Sequence, residues 1–112
     1  MRRLGIDPGT ARTGLAVADD DIGVATPLAT VEHRSLTQAV REVALIAARE
    51  DIEEAVIGLP LALDGREGEA ARRARAFADA FGKQAKIPVI LWDERLSTVS
   101  AERALRAQGV RG

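Results

Sequence analysis

The 112-residue sequence contains no cysteine and a single histidine, His33. Without cysteine there can be no disulfide and no thiolate metal site, and a reducing cytosol is the natural compartment. One histidine excludes a multi-histidine centre and argues against zinc. On spacing alone, His33 reads as a surface residue beside a helix start. No apolar run approaches the ~20 residues that span a bilayer. The N-terminus opens on a strand-like pattern, not on a charged segment followed by an apolar stretch. Net charge is also small, at −1, so no bulk basic field advertises nucleic acid. These absences lead to the expectation of a cytoplasmic globular protein with no membrane association. The length suits one domain with a single core.

What the sequence does contain is arginine, 14 of its 16 basic residues. Arg2, Arg3 and Arg12 flank the opening motif, and Arg66, Arg72, Arg73 and Arg75 form a second cluster. Guanidinium forks pair well with phosphate oxygens, although surface arginines commonly do no more than solvate a helix.

Patterning along the chain predicts alternating strands and helices. Leu4 and Ile6 alternate with Gly5 and Asp7 in a short strand stopped by Pro8-Gly9. Leu15 and Val17 alternate with Gly14, Ala16 and Ala18, a strand whose small-residue face allows close approach. A turn at Asp19-Asp20-Asp21 and Gly23 precedes an extended stretch from Ala25 to Val31, in which Pro27 suits an edge or bulge. Ser35 to Glu50 reads as a helix with a Ser35/Gln38 capping box and Leu36, Val40, Val43, Ile46 and Ala47 on one face. "AVIGLP" (Ala55 to Pro60) and "PVILWDE" (Pro88 to Glu94) read as buried parallel strands. Between them a helix is expected from Glu67 to Ala85, with Ala70, Ala74, Phe77, Ala78 and Phe81 inward. Ser97 or Thr98 caps a last helix that runs toward Gln108 and stops at Gly109.

Hairpin-like strands followed by strand–helix–strand–helix imply a mixed α/β sheet, antiparallel first and parallel afterwards, with ligands at the carboxyl ends of the parallel strands. Asp7 and the pair Asp93-Glu94 both fall there. Carboxylates gathered at strand ends suit magnesium, which takes one or two of them together with water and phosphate oxygens. Two such ions can promote phosphodiester cleavage. Strand alternation puts Val89, Leu91 and Asp93 on one face and Ile90, Trp92 and Glu94 on the other, so one acid of the pair faces Asp7 and the other caps the turn or orients Arg95. The bland alternative for each acid is a strand-end residue binding nearby backbone N–H groups. Thr10, Arg12 and Thr13 form a phosphate-facing rim, with Gly9 permitting close backbone approach. Trp92 can stack on a base, but between Leu91 and its neighbours it is expected in the core.

"LGIDPGTARTGLAVAD", "ATPLATV", "AVIGLPLALDGREG" and "PVILWDERLSTVSAERAL" together resemble the YqgF/RuvX family across nearly the whole chain. The GLP-x-x-x-DG-x-x-G and WDERLST blocks carry the specificity. The resemblance implies an RNase H-like fold, with a five-stranded mixed sheet flanked by helices in one domain over residues 1–112. It also implies a nuclease that uses Mg2+ (or Mn2+), of Holliday-junction-resolvase type, which matures the 5′ end of precursor 16S ribosomal RNA. By position, Asp7 matches the catalytic aspartate of the first strand and Glu94 the second acid, with Asp93 as its neighbouring candidate. Thr10, Arg12, Thr13 and Arg95 are then expected to contact nucleic acid.

Two departures from related patterns stand out. RuvC-type resolvases carry an acid where this chain has Gly58 to Pro60, an absence that the YqgF pattern shares. The family also continues past "GV" into a basic loop and a helix with a further catalytic aspartate, whereas this chain stops at Arg111-Gly112. On that comparison the domain is expected to be C-terminally incomplete, and Asp7 and Glu94 supply few ligands for two ions. Rival readings are a non-catalytic nucleic-acid-binding module and a fragment of a sugar-kinase or actin-like ATPase. The latter needs two duplicated domains that this length cannot hold. A resolvase cutting two strands symmetrically would be a homodimer.

Overall fold

A computed structural model describes residues 1–19 and 24–93. Its elements are β1 (Arg2–Asp7), β2 (Arg12–Asp19), β3 (Val24–Glu32), α1 (Leu36–Arg49), β4 (Glu54–Leu59), α2 (Glu69–Ala85) and β5 (Val89–Asp93). The strands form one sheet in the order β3-β2-β1-β4-β5. β1 pairs antiparallel with β2, and β2 with β3, while β1–β4 and β4–β5 are parallel. This is the mixed sheet that the patterning predicts. The expected last helix, Glu94 and Arg95, and most of the turn after Asp19 lie outside the described residues.

Both helices sit on one face, and the topology requires it. The chain passes from β3 through α1 to β4, then from β4 through α2 to β5, moving in the same direction across the sheet. Two right-handed crossovers in one direction fall on the same side. Burial agrees. Leu4, Ile6, Leu15, Ala55, Ile57 and Leu59 are buried against Val40, Val43, Phe77 and Phe81. Phe77 and Phe81, one turn apart on α2, stack with ring centroids 5.7 Å apart. Ala39 and Ala47 of α1 and Ala71 and Ala74 of α2 are also buried, and side chains this small let two helices approach closely.

Several local expectations shift. Ser35 is the N-cap of α1 and accepts from the Gln38 N–H at 3.0 Å, but the Gln38 side chain reaches back to the Arg34 N–H, one residue earlier than in a regular capping box. Leu36, expected inward, is 42% exposed because it sits in the first turn, beyond the sheet. α2 starts at Glu69; Glu67 stays in the preceding loop, and its neighbour on the buried face is Ala71, not the exposed Ala70. Pro27 lies on the edge strand, where the β2–β3 register shifts between Leu15 and Ala16, a position that loses no interior ladder bond.

β4 and β5 are buried on one face only. Ile90 is 41% and Trp92 39% exposed, which overturns the core reading of Trp92. Val89 and Leu91 take the helix-covered side, so the alternate residues must face away. Among the described residues no helix or strand covers that second face, which carries Gly5, Asp7, Gly14, Ala16, Ala18, Val56 and Gly58.

Candidate functional site

β1 is the central strand and ends at Asp7, where Pro8 can donate no further ladder bond. The chain then folds back tightly. A Cβ on Gly9 would collide with the Arg12 carbonyl oxygen, so only glycine fits the turn as built. The returning strand places Gly14 opposite Asp7. On the other side, Ile6 pairs with Ile57, so the next residue of β4 beside Asp7 is Gly58. Gly58 in turn pairs with Trp92. A row therefore runs Gly14, Asp7, Gly58, Trp92 across four strands on the open face.

Asp7 is exposed and stands between two residues without side chains. Its carboxylate makes no hydrogen bond or ion pair with the described residues. A strand-end aspartate that served only to cap its turn would accept a neighbouring N–H, and here no such bond forms. Both oxygens are open to a cation, to water or to a substrate donor.

The second expected acid is resolved in part. Asp93 ends β5 and pairs with Leu59, which is buried. That register puts Asp93 on the helix-covered face, opposite to Asp7. Glu94 lies outside the described residues. Among the described residues no group of three or more histidine, cysteine, aspartate or glutamate side chains could hold a metal. Asp7 alone still fits a hard cation that draws its other ligands from water and phosphate.

The loop after Asp7 is held from beneath. The His33 N–H donates to the Ala11 carbonyl at 3.0 Å, and His33 Nε2 lies 2.9 Å from Thr13 Oγ1. Thr13 is fully buried. Its hydroxyl is committed to the imidazole, so the expected phosphate donor is an internal strut. His33 is correspondingly half-buried, where a surface residue was expected. Thr10 on the loop and Arg12 at the start of β2 are both exposed.

Several arginines are held in ion pairs. Arg2 binds the Glu50 carbonyl and carboxylate, and Arg3 pairs with Glu54. Both lie at the start of β1, the far end of the strand from Asp7, and this corrects their placement beside the motif. Arg66 pairs with Asp64, and Arg75 with Glu67. The Arg75 hydrogen bond, aided by the charges of Arg75 and Arg72, holds Glu67 below the usual carboxylate range. Arg34 and Arg73 form no side-chain ion pair or hydrogen bond with the described residues. Both line a cavity beside the Pro8-Gly9 turn. Neither His33 nor Arg34 belongs to a motif, and their one sequence signal is adjacency to the Ser35 helix cap.

The sequence model of a protein family described as RuvX, Holliday junction resolvase, matches residues 1–112. A relative from Anaeromyxobacter sp. (strain Fw109-5), named "Putative pre-16S rRNA nuclease", is 49% identical over 97% of this chain and 80% of its own length. A relative of the same name from Rhodopseudomonas palustris (strain BisB5) is 45% identical over 96% of this chain and 67% of its own. In fold, RuvC of T. thermophilus, solved with a Holliday junction substrate, superposes with a TM-score of 0.67. It is 18% identical, over 96% of this chain and 73% of that one. A ROK family protein from Streptococcus pneumoniae TIGR4 gives a TM-score of 0.65 at 14% identity, over 91% of this chain but 37% of its own. The sheet is thus shared with a larger protein, at an identity that speaks for fold alone.

Proposed function

The chain belongs to the RuvX family, and from that premise we propose that it is a Mg2+- (or Mn2+-) dependent nuclease that processes the 5′ end of precursor 16S ribosomal RNA. Asp7 carries the reading: an exposed carboxylate at the end of the central strand, without a hydrogen-bond or ion-pair partner among the described residues and flanked by Gly14 and Gly58. Neither flanking glycine projects a side chain beside it. Glu94, which alternation in the sequence groups with Ile90 and Trp92, is the second acid; Asp93 belongs to the other face. Asp7 would hold a divalent cation, which when bound would supply charge neutralisation at the scissile phosphate and activation of water. Thr10 and Arg12 orient the phosphate from the turn, and Arg95 is proposed to do so from the far side. A substrate of this kind places the protein in the cytoplasm.

The test is cleavage of a precursor 16S transcript in Mg2+, compared with EDTA and with Asp7→Asn. Loss of a direct ligand should cost more than the roughly 10–100-fold that outer partners of a metal cost, with RNA binding retained. Full activity in Asp7→Asn would sink the mechanism. The family description favours a second reading, cleavage of a four-way DNA junction. Paired symmetric nicks on a junction, requiring a homodimer, with the RNA left intact would select it. Tight binding with no cleavage of either substrate would select a non-catalytic module.

A further inference from the structure

A cavity of about 280 Å³ adjoins the Pro8-Gly9 turn that follows Asp7, on the helix-covered side of the sheet. Its walls are the Pro8-Gly9-Thr10 turn, the His33–Ser35 junction at the start of α1, and Arg73 of α2; Thr13, Ala39 and Phe77 also line it. Among the described residues no acidic one lines it. Arg34 and Arg73 reach it from different elements and have no anionic partner among the described residues. That is unlike Arg2, Arg3, Arg66 and Arg75, each of which is paired. A shallower depression of about 440 Å³ shares His33 and Arg34 and adds Arg12, with Glu32 on its rim.

His33 supplies a second, independent observation. Its Nδ1 is buried with no hydrogen-bond partner, while Nε2 is engaged by Thr13 Oγ1 at 2.9 Å. Whichever group donates in that bond, Nδ1 is left without a partner. Buried polar atoms left this way are costly. The 14-residue helix α1 also presents its positive end here, behind Ser35. Two guanidinium groups and a helix N-terminus border a space that no acidic residue lines among the described residues.

We infer that this cavity is a second phosphate subsite, in which Arg34 and Arg73 clamp a phosphodiester neighbouring the one at Asp7. The inference rests on the nuclease reading and deepens it. A strand held at two phosphates has a fixed direction and register, so the subsite sets which bond is cut. Nothing in the clamp reads a base, and sequence preference must come from elsewhere.

The experiment compares wild-type, Arg34→Gln, Arg73→Gln and the double variant. Binding of the precursor RNA is followed in Ca2+ across a range of salt, with urea midpoints as the folding control. One phosphate released should flatten log K against log salt by about 0.7–0.9 in the double variant. An unchanged slope overturns the subsite. So does a change of about twice that size, which would mean two separate surface contacts. Wild-type protein that binds no nucleic acid defeats the nuclease reading and the subsite together, whereas strong wild-type binding with an unchanged slope defeats the subsite alone. A second arm titrates inorganic phosphate while following the His33 ring resonances. Shifts in wild-type that are lost in the double variant support phosphate at the cavity. Such shifts combined with unaltered RNA binding would assign it to a free phosphate and overturn the strand clamp.

Discussion

Replacing Thr13 by valine should destabilise the fold by about 1–2 kcal/mol, although valine preserves shape and strand preference. Thr13 is fully buried, so nothing replaces its hydroxyl at His33 Nε2, 2.9 Å away. His33 Nδ1 already lacks a partner, and the variant would leave both ring nitrogens unsatisfied. A buried polar group stranded in this way costs roughly 1–3 kcal/mol, while removing both partners together is close to neutral. The assay is urea unfolding of wild-type, Thr13→Val, His33→Leu and the double variant, with the slope m checked for constancy. The double variant should lose less than the sum of the singles, by roughly 0.5–1 kcal/mol of coupling. Hydrogen exchange at the His33 amide, which donates to the Ala11 carbonyl, should also accelerate in Thr13→Val. Wild-type stability in Thr13→Val, together with additive singles, would refute the claim that this pair holds the loop.

Phe81→Ala should cost about 3–5 kcal/mol in denaturant unfolding, because Phe81 is fully buried and stacks on Phe77; a loss under ~1.5 kcal/mol would mean the site collapses freely. Gly9→Ala places a Cβ against the Arg12 carbonyl, so the turn must move, and RNA cleavage should fall further than the unfolding midpoint does. Glu67 titrates below the ordinary carboxylate value because Arg75 hydrogen-bonds it. The pair therefore stabilises above that ordinary value and loses its contribution as pH falls through the depressed one. Carboxyl NMR should show the Glu67 midpoint rise in Arg75→Ala, and an unmoved midpoint would remove Arg75 as the cause. Trp92, the single tryptophan, is 39% exposed; acrylamide should quench its emission readily, and a well-protected emission would return it to the core.

Strand identity was legible because alternation is local: Leu4, Ile6, Leu15, Ala55 and Ile57 announce both the strand and its buried face. The α1 cap was legible for the same reason, since Ser35 and Gln38 are three residues apart. Facts that depend on which elements meet were not legible. A buried-type strand such as "VILW" reads the same whether one or both faces are covered, and the two right-handed crossovers put both described helices on one of them. Arg34 and Arg73 are 39 positions apart by number (73 less 34), and only the packing of α1 beside α2 brings them to one cavity. Arg3 was misplaced for the converse reason: it is close to Asp7 in sequence but at the other end of a strand.

Register carries the argument at the acids furthest. Alternation within β5 separates Asp93 from its successor but cannot say which of them shares a face with Asp7. The pairings Ile6–Ile57 and Ile57–Leu91 put three apolar residues in one row on the helix side. One step along, Asp7 comes level with Gly58 and Trp92 on the open side, and a further step gives Leu59 with Asp93 on the helix side again. Strands in a sheet lie about 4.8 Å apart, so Asp7 and β5 are separated by two such spacings with only Gly58 between them. An aspartate at one side of that gap reaches across no intervening side chain. On the reading proposed above, a bulky residue at position 58 would crowd the Asp7 carboxylate, and an acid there would compete with the phosphate for the cation. Gly58 is the β4 residue whose side chain would stand beside Asp7 on that face.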